Sequence, residues 1–327
     1  MTDLSTKTVL VTGANAGLGF DAAAQFAERG YGNVILACRT QEKADATRER
    51  LLERTGRDIF STLAVDVAEI SVAQAAAEEL IGRGTVIDAL VLNAGLAATE
   101  LKTTSDGVEL TFAASLIGHH VITMRLLQAG LLAPEARIII AGSEGARGDL
   151  PGMALNDYEG IAKTSFDGDL RAAFEALARG SQPTKYKTMD VYVTAKLFAA
   201  WWAAALARRL PTGMVALAVS PGSAPGTSFS RNVGFGMKYI MIPMMKVLGP
   251  LMGMAGSVSA GAKRYVDAAE FGPETNGRFY ASPGKKLVGK LTVQEHPHFL
   301  VEEHQEAAWD TVVRLAGGAT VKAVRAA

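Results

Sequence analysis

The feature that most constrains this chain is the alternation of short aliphatic runs with longer amphipathic stretches. Residues 9–11, 34–37, 63–65, 90–92, 138–140 and 215–219 are each a brief Val/Ile/Leu/Ala run bounded by turn residues, so each is predicted as a buried strand. Between them, residues 17–29, 41–55, 71–83, 108–130 and 191–209 carry helical spacing. Strands alternating with helices pair in parallel and are covered on both faces. Right-handed crossovers then make the sheet doubly wound. The expected fold is α/β, with one doubly wound parallel sheet in a single domain over 1–327 and Arg278-Phe279-Tyr280 as a last short strand. Two stretches break the rhythm. Residues 148–190 are too long for a plain connection, and a helix near 166–178 is expected inside them. Residues 228–256 are rich in Gly and Met, with Pro243 and Pro250, and read as a substrate-binding lid. Residues 286–327 read as a C-terminal extension.

Composition narrows the roles. Lys+Arg and Asp+Glu number 33 each, so the net charge is zero and a phosphate-gripping nucleic-acid binder is disfavoured. One cysteine, Cys38, leaves no intramolecular disulfide and no cysteine-rich zinc site. The opening MTDLSTKTVLVTG carries no apolar leader. No membrane span is expected, because no run of ~18 uncharged apolar residues appears. A cytoplasmic location is the expectation. His296, His298 and His304 invite a metal reading, but Pro297 breaks any helical register, so a solvated surface and no metal are expected.

The first strand runs into Thr12-Gly13-Ala14-Asn15-Ala16-Gly17-Leu18-Gly19. Glycines here permit a tight strand-to-helix turn and a close approach of backbone N–H groups to a diphosphate. Glycine-rich turns are common, so alone this one is weak. No Lys-Ser/Thr pair follows, which excludes a P-loop. Tyr192 and Lys196 lie four residues apart, on one face of a predicted helix. A nearby ammonium favours the phenolate, so the Tyr192 hydroxyl is expected below its ordinary ~10. The bland alternative is a surface pair.

The Thr-Gly-x-x-x-Gly-x-Gly spacing resembles the short-chain dehydrogenase/reductase family, whose fold is of the Rossmann type. Further motifs follow in order: Asp66-Val67 after the third strand, Asn93-Ala94-Gly95 after the fourth, Ser143 ending the fifth, Tyr192-x-x-x-Lys196, and Pro221-Gly222 ending the sixth. The resemblance covers roughly residues 5–285 and is nearest the retinol dehydrogenase and protochlorophyllide reductase branch. It implies that Gly13, Asn15, Gly17, Leu18, Gly19, Asp66, Val67, Asn93, Ala94, Gly95, Pro221 and Gly222 bind the cofactor. Thr227 is assigned to the nicotinamide carboxamide. The resemblance further implies that Ser143, Tyr192 and Lys196 form the catalytic group, with Tyr192 as general acid/base and Lys196 also holding the nicotinamide ribose. The second strand ends in Arg39, with no acidic residue at its tip. That favours NADP(H) over NAD(H), since a guanidinium suits a 2′-phosphate; the alternative is a surface residue at a helix cap.

Two departures stand out. Ser115 occupies the position where the family often has an Asn that anchors a relay water, and His119 beside it reads as a structural residue. The insertion 148–190 separates Ser143 from Tyr192 and is expected over the mouth of the site, or against an oligomer interface. The expected activity is hydride transfer between NADP(H) and a carbonyl or alcohol of a bulky apolar substrate. The alternatives are reduction of a C=C bond in an enone or tetrapyrrole-like substrate, and a non-catalytic cofactor-binding sensor or scaffold. The family's habit of pairing through helices near 108–130 and 191–209 leaves homodimer and monomer both open.

Overall fold

A computed structural model describes residues 3–182, 185–223 and 256–318. Eight strands form one sheet in the order β3-β2-β1-β4-β5-β6-β7-β8. The first six are β1 (Thr8–Thr12), β2 (Asn33–Cys38), β3 (Phe60–Ala64), β4 (Ile87–Leu92), β5 (Leu132–Ala141) and β6 (Val215–Val219). β7 (Phe279–Ala281) continues the parallel set, and β8 (Thr292–Val293) pairs with it antiparallel. Apart from β3 at the sheet edge, the aliphatic runs form strands because both of their faces are buried. Val9 and Val11 join one core while Leu10 joins the other, and Val215, Leu217 and Val219 oppose Ala216 and Ala218 in the same way.

One face is covered by α1 (Gly17–Arg29) and α2 (Gln41–Thr55); the other by α3 (Ile70–Arg83) and the helical run α4 (Leu110–Gln128). α4 contains a π-helical turn at Ala113–Ile117. It is long and apolar enough to cross a membrane by length and composition, but 83% of its most apolar window is buried inside the protein. The insertion holds two helices where one was expected, α5 (Tyr158–Ser165) and α6 (Leu170–Ala178). The helix bearing Tyr192 is α7 (Thr188–Ala207), and its Trp201 and Trp202 are fully buried. Two later helices gave no clear signal: α8 (Val258–Ala268), beside α1, and α9 (Glu302–Leu315).

The start of the insertion lies at the carboxyl end of β5, where a Cβ on Gly145 would stand 3.0 Å from Met153 Sδ, while its helices lie against α7. Tyr158 and Phe174 pack on Trp201, with ring centroids 5.5 and 5.4 Å apart, so they cover the outer face of α7. Aromatic burial holds them there, since fully burying a Phe-sized side chain is worth ~1.5–3 kcal/mol. α9 closes the same face. Trp309 stacks 6.5 Å from Trp202 and lies 5.2 Å from the His120 ring on α4. Glu306 binds Arg209 and Arg208, which hold its carboxyl down at about 2.

Candidate active site

β1 and β4 lie side by side and their connections leave in opposite directions, which opens a crevice at their carboxyl ends. The glycine turn sits there. Gly13 has φ +67°, and its amide donates to the Ala37 carbonyl at 2.8 Å. A Cβ on Gly19 would stand 2.3 Å from the Gly13 oxygen and 2.6 Å from Asn93 Nδ2, so only glycine lets α1 begin this close to the turn. The cap residue Ala16 offers no side-chain acceptor. The leading amides of α1 therefore face the crevice without a capping partner, the arrangement that suits a diphosphate.

The turn is fastened from below. Asn93 Nδ2 donates to the Thr12 carbonyl at 2.9 Å, and the Ala94 amide donates to Thr12 Oγ1 at 2.9 Å. His119 completes the lock. Its Nδ1 lies 3.0 Å from the Ser115 carbonyl, which only accepts, so Nδ1 carries the proton and Nε2 accepts from Thr12 Oγ1 at 3.0 Å. Burial pushes the His119 ring down to about 4, so it is neutral near pH 7. The structural reading of His119 holds, and Thr12 joins the site as a residue the sequence had marked only as part of the turn.

Ser143 follows β5 in extended backbone and begins a short 3-10 turn, Glu144–Arg147; its Oγ accepts from the Gly145 amide at 3.2 Å. The Ser143 hydroxyl faces Tyr192 and favours its ionised form. One turn along α7, Lys196 Nζ lies 6.0 Å from the Tyr192 ring centroid and donates to the Ala141 carbonyl at 3.0 Å. The three residues expected to act together are thus adjacent. Their electrostatics differ from expectation, however. The Tyr192 hydroxyl is held above its ordinary value, not below it: burial outweighs the Ser143 hydrogen bond, and Glu144 adds repulsion. Lys196 is itself pushed down to about 8 by burial. At 6.0 Å, and turned to Ala141, it does not offset that burial.

Gly95 forms the floor between these groups. A Cβ there would stand 3.5 Å from Ser115 Oγ and 3.6 Å from Lys196 Nζ. Ser115 Oγ is buried without a hydrogen-bond partner, as a group awaiting a water or ligand oxygen would be. Arg39, at the tip of β2, pairs with Asp66 at 3.3 Å while its side chain stays 61% exposed. The Val67 carbonyl accepts from the Gly118 amide at 3.1 Å and so serves α4. Leu18 lies against α8, where a Cβ on Gly261 would stand 2.7 Å from Leu18 Cδ2. The Asn15 carbonyl accepts from Arg50 at 3.3 Å, and the Arg50 guanidinium lies 4.2 Å from the centre of the Phe20 ring. The Gly222 amide donates to Ser220 Oγ at 3.2 Å behind Pro221. Thr227 and the segment 228–255 lie outside the described residues. Cys38 is a packed strand residue whose thiol burial pushes up to about 11.

His298 and His304 correct the expectation of a solvated surface, whereas the His296 side chain stays 34% exposed. His298 Nε2 donates to the Ala146 carbonyl at 3.0 Å, and His304 packs 5.2 Å from the Trp201 ring. They are packing groups for α7. Among the described residues no three His, Cys, Asp or Glu are grouped to hold a metal. Sequence reasoning missed the buried Glu144–Arg264 pair behind Ser143, because its members come from distant segments.

Comparison with known proteins gives a consistent picture. Residues 7–157 match the family model described as short chain dehydrogenase. The chain is 32% identical over 236 residues to a WW domain-containing oxidoreductase of Drosophila melanogaster, covering 71% of this chain and 53% of the relative. It thus spans about half the length of the first curated relatives it matches. It is 28% identical over 312 residues to human retinol dehydrogenase 13, covering 95% and 85% of the two chains. The fold matches a short chain dehydrogenase from Burkholderia cenocepacia J2315 solved with NADP, at TM-score 0.59 and 20% identity over 85% and 96% of the chains.

Proposed function

Residues 7–157 place this chain in the short-chain dehydrogenase/reductase family, and on that premise we propose that it moves hydride between NADP(H) and a carbonyl or alcohol carbon, with Tyr192 as general acid/base. The observation that carries the reading is the meeting of Ser143, Tyr192 and Lys196 beside Gly95, at the end of the sheet where the glycine turn opens. The family match ends before α7, so this geometry supports the catalytic pair independently of it.

The residues fit a dinucleotide: the turn has no room for a Cβ at Gly19, and the first amides of α1 have no side-chain cap. When bound, the reduced nicotinamide supplies the hydride. Ser143 donates a hydrogen bond to the substrate carbonyl oxygen and stabilises the charge that develops there. Tyr192 gives its hydroxyl proton to that oxygen, completing the alcohol. A tyrosine held protonated by burial is suited to this reductive direction. As Tyr192 loses its proton, the Ser143 hydroxyl beside it steadies the phenolate. Arg39 favours NADP(H): it can leave its exposed pair with Asp66 for a 2′-phosphate. A bulky apolar substrate is supported by the Met-rich composition of 228–256 and by the relative named for retinol. The test is loss of reduced-cofactor absorbance with apolar ketones and aldehydes. Wild type turns over and Tyr192→Phe falls by orders of magnitude while still binding NADPH. NADPH binding without turnover of any carbonyl would favour the sensor reading instead.

A further inference from the structure

We infer that the buried Glu144–Arg264 pair is a positioning device, which sets the orientation of Ser143 and the balance of charge beside Tyr192. The inference rests on the catalytic reading of Ser143 and Tyr192 given above. Glu144 directly follows Ser143 and opens the turn whose amide holds the Ser143 oxygen. Its side chain is 5% exposed and that of Arg264 8%, with NH1 3.1 Å from Glu144 Oε1.

The pair fastens the ends of several elements at one point. Glu144 Oε1 accepts from the Ser282 hydroxyl at 2.9 Å and its amide at 3.2 Å, while Oε2 accepts from the Ser220 hydroxyl. Arg264 donates to the Ser220 carbonyl at 2.9 Å, to Ser282 Oγ at 2.8 Å and to the Gly289 carbonyl at 2.9 Å. The ends of β5, β6 and β7 are thereby tied to α8. Ser143 cannot shift unless this knot loosens. A buried ion pair is a poor source of net stability, since well-packed apolar residues do as well. Its place immediately behind the reacting hydroxyls makes a positioning role the more economical reading.

Charge gives the second half of the inference. Tyr192 is faced by Lys196 from its own helix, by Ser143 and Glu144 from the end of β5, and by Tyr265 on α8 next to Arg264. Arg264 offsets the carboxylate of Glu144. Removing either partner leaves one buried charge near Tyr192, and the sign depends on which is removed.

The experiment is a near-ultraviolet tyrosinate titration of the full chain, differenced against Tyr192→Phe. It is run beside kcat–pH profiles with NADPH and an apolar ketone. Glu144→Gln leaves the arginine cation, so the Tyr192 phenolate forms at lower pH than in wild type. Arg264→Gln leaves the carboxylate, so it forms at higher pH. The double variant Glu144→Gln/Arg264→Gln returns the titration toward wild type. In each single variant kcat falls about tenfold while KM moves less than about threefold. A purely structural role lowers activity without opposite shifts. Should Arg264→Gln fail to fold, Glu144→Gln and the charge-free double variant carry the comparison. Titrations that stay in place, or move the same way in both single variants, overturn the inference. Opposite shifts in a wild-type background that reduces no carbonyl would instead support the electrostatic coupling and defeat the catalytic reading.

Discussion

Replacing Arg39 with alanine isolates the group proposed to choose the cofactor. Arg39 Nε lies 3.3 Å from Asp66 Oδ2, and its side chain is 61% exposed. A pair that open to water is worth ~0.2–1 kcal/mol, so little is lost when the guanidinium turns away. A charge-assisted hydrogen bond to a phosphate contributes ~1.5–3 kcal/mol. The difference, about 1–2 kcal/mol, is roughly a 5–30-fold loss of NADPH affinity in Arg39→Ala, at ~1.4 kcal/mol per tenfold. NADH has no 2′-phosphate, so its affinity changes less than about twofold. Calorimetric titration of both cofactors into wild type and variant measures this. Added salt weakens NADPH binding to wild type more than to the variant, because the contact is exposed and screened. Equal affinity for both cofactors in wild type, or an equal loss of both in the variant, refutes the reasoning.

Other outcomes follow from the same geometry. Gly19→Ala forces a Cβ to within 2.3 Å of the Gly13 carbonyl; it costs ~1–3 kcal/mol, lowers the melting temperature by about 2–8 °C and abolishes cofactor binding, whereas unchanged binding would show that the turn has slack. His119 is held near 4 against an ordinary 6.5, so the unfolded chain takes up a proton that the folded protein refuses. Stability therefore falls as pH drops from 6.5 toward 4, by up to about 3 kcal/mol from this residue; His298, also near 4 through burial, acts in the same direction. A urea midpoint that does not change between pH 7 and pH 5 contradicts this. α5, α6 and α9 cover the outer face of α7 with Tyr158, Phe174 and Trp309. The chain is therefore expected to run as a monomer in light-scattering chromatography, and a dimer paired through α7 would contradict this.

How much of this was legible in the sequence depended on how local the signal was. Five of the six aliphatic runs were legible as strands because burial of both faces leaves an unbroken run; β3, at the sheet edge, shows this only in part. The strand and helix beyond the 220s were harder. β8 has two residues, and α8 earns its place by packing on α1 rather than by its own spacing. Ser143, Tyr192 and Lys196 were found because each belongs to a short motif, and the helix supplies the one-turn geometry. The ionisation of Tyr192 went the other way, since burial is a property of the assembled site and not of the Tyr-x-x-x-Lys spacing. The Glu144–Arg264 knot left no trace, because its members are separated by 120 residues. The insertion was legible along the chain, but that its aromatic residues choose Trp201 was not, because only the folded helix shows which way Trp201 faces.

The most direct test of the central claim is isotope transfer. NADPH carrying deuterium at the reactive nicotinamide carbon is incubated with an apolar ketone, and the alcohol product is weighed by mass spectrometry. The account predicts one deuterium on the carbinol carbon with wild type, and none above background with a Tyr192→Phe variant that still binds NADPH. Product formed at the wild-type rate by Tyr192→Phe would contradict the assigned proton donor. Tight NADPH binding with no label reaching any carbonyl would contradict the hydride-transfer claim itself.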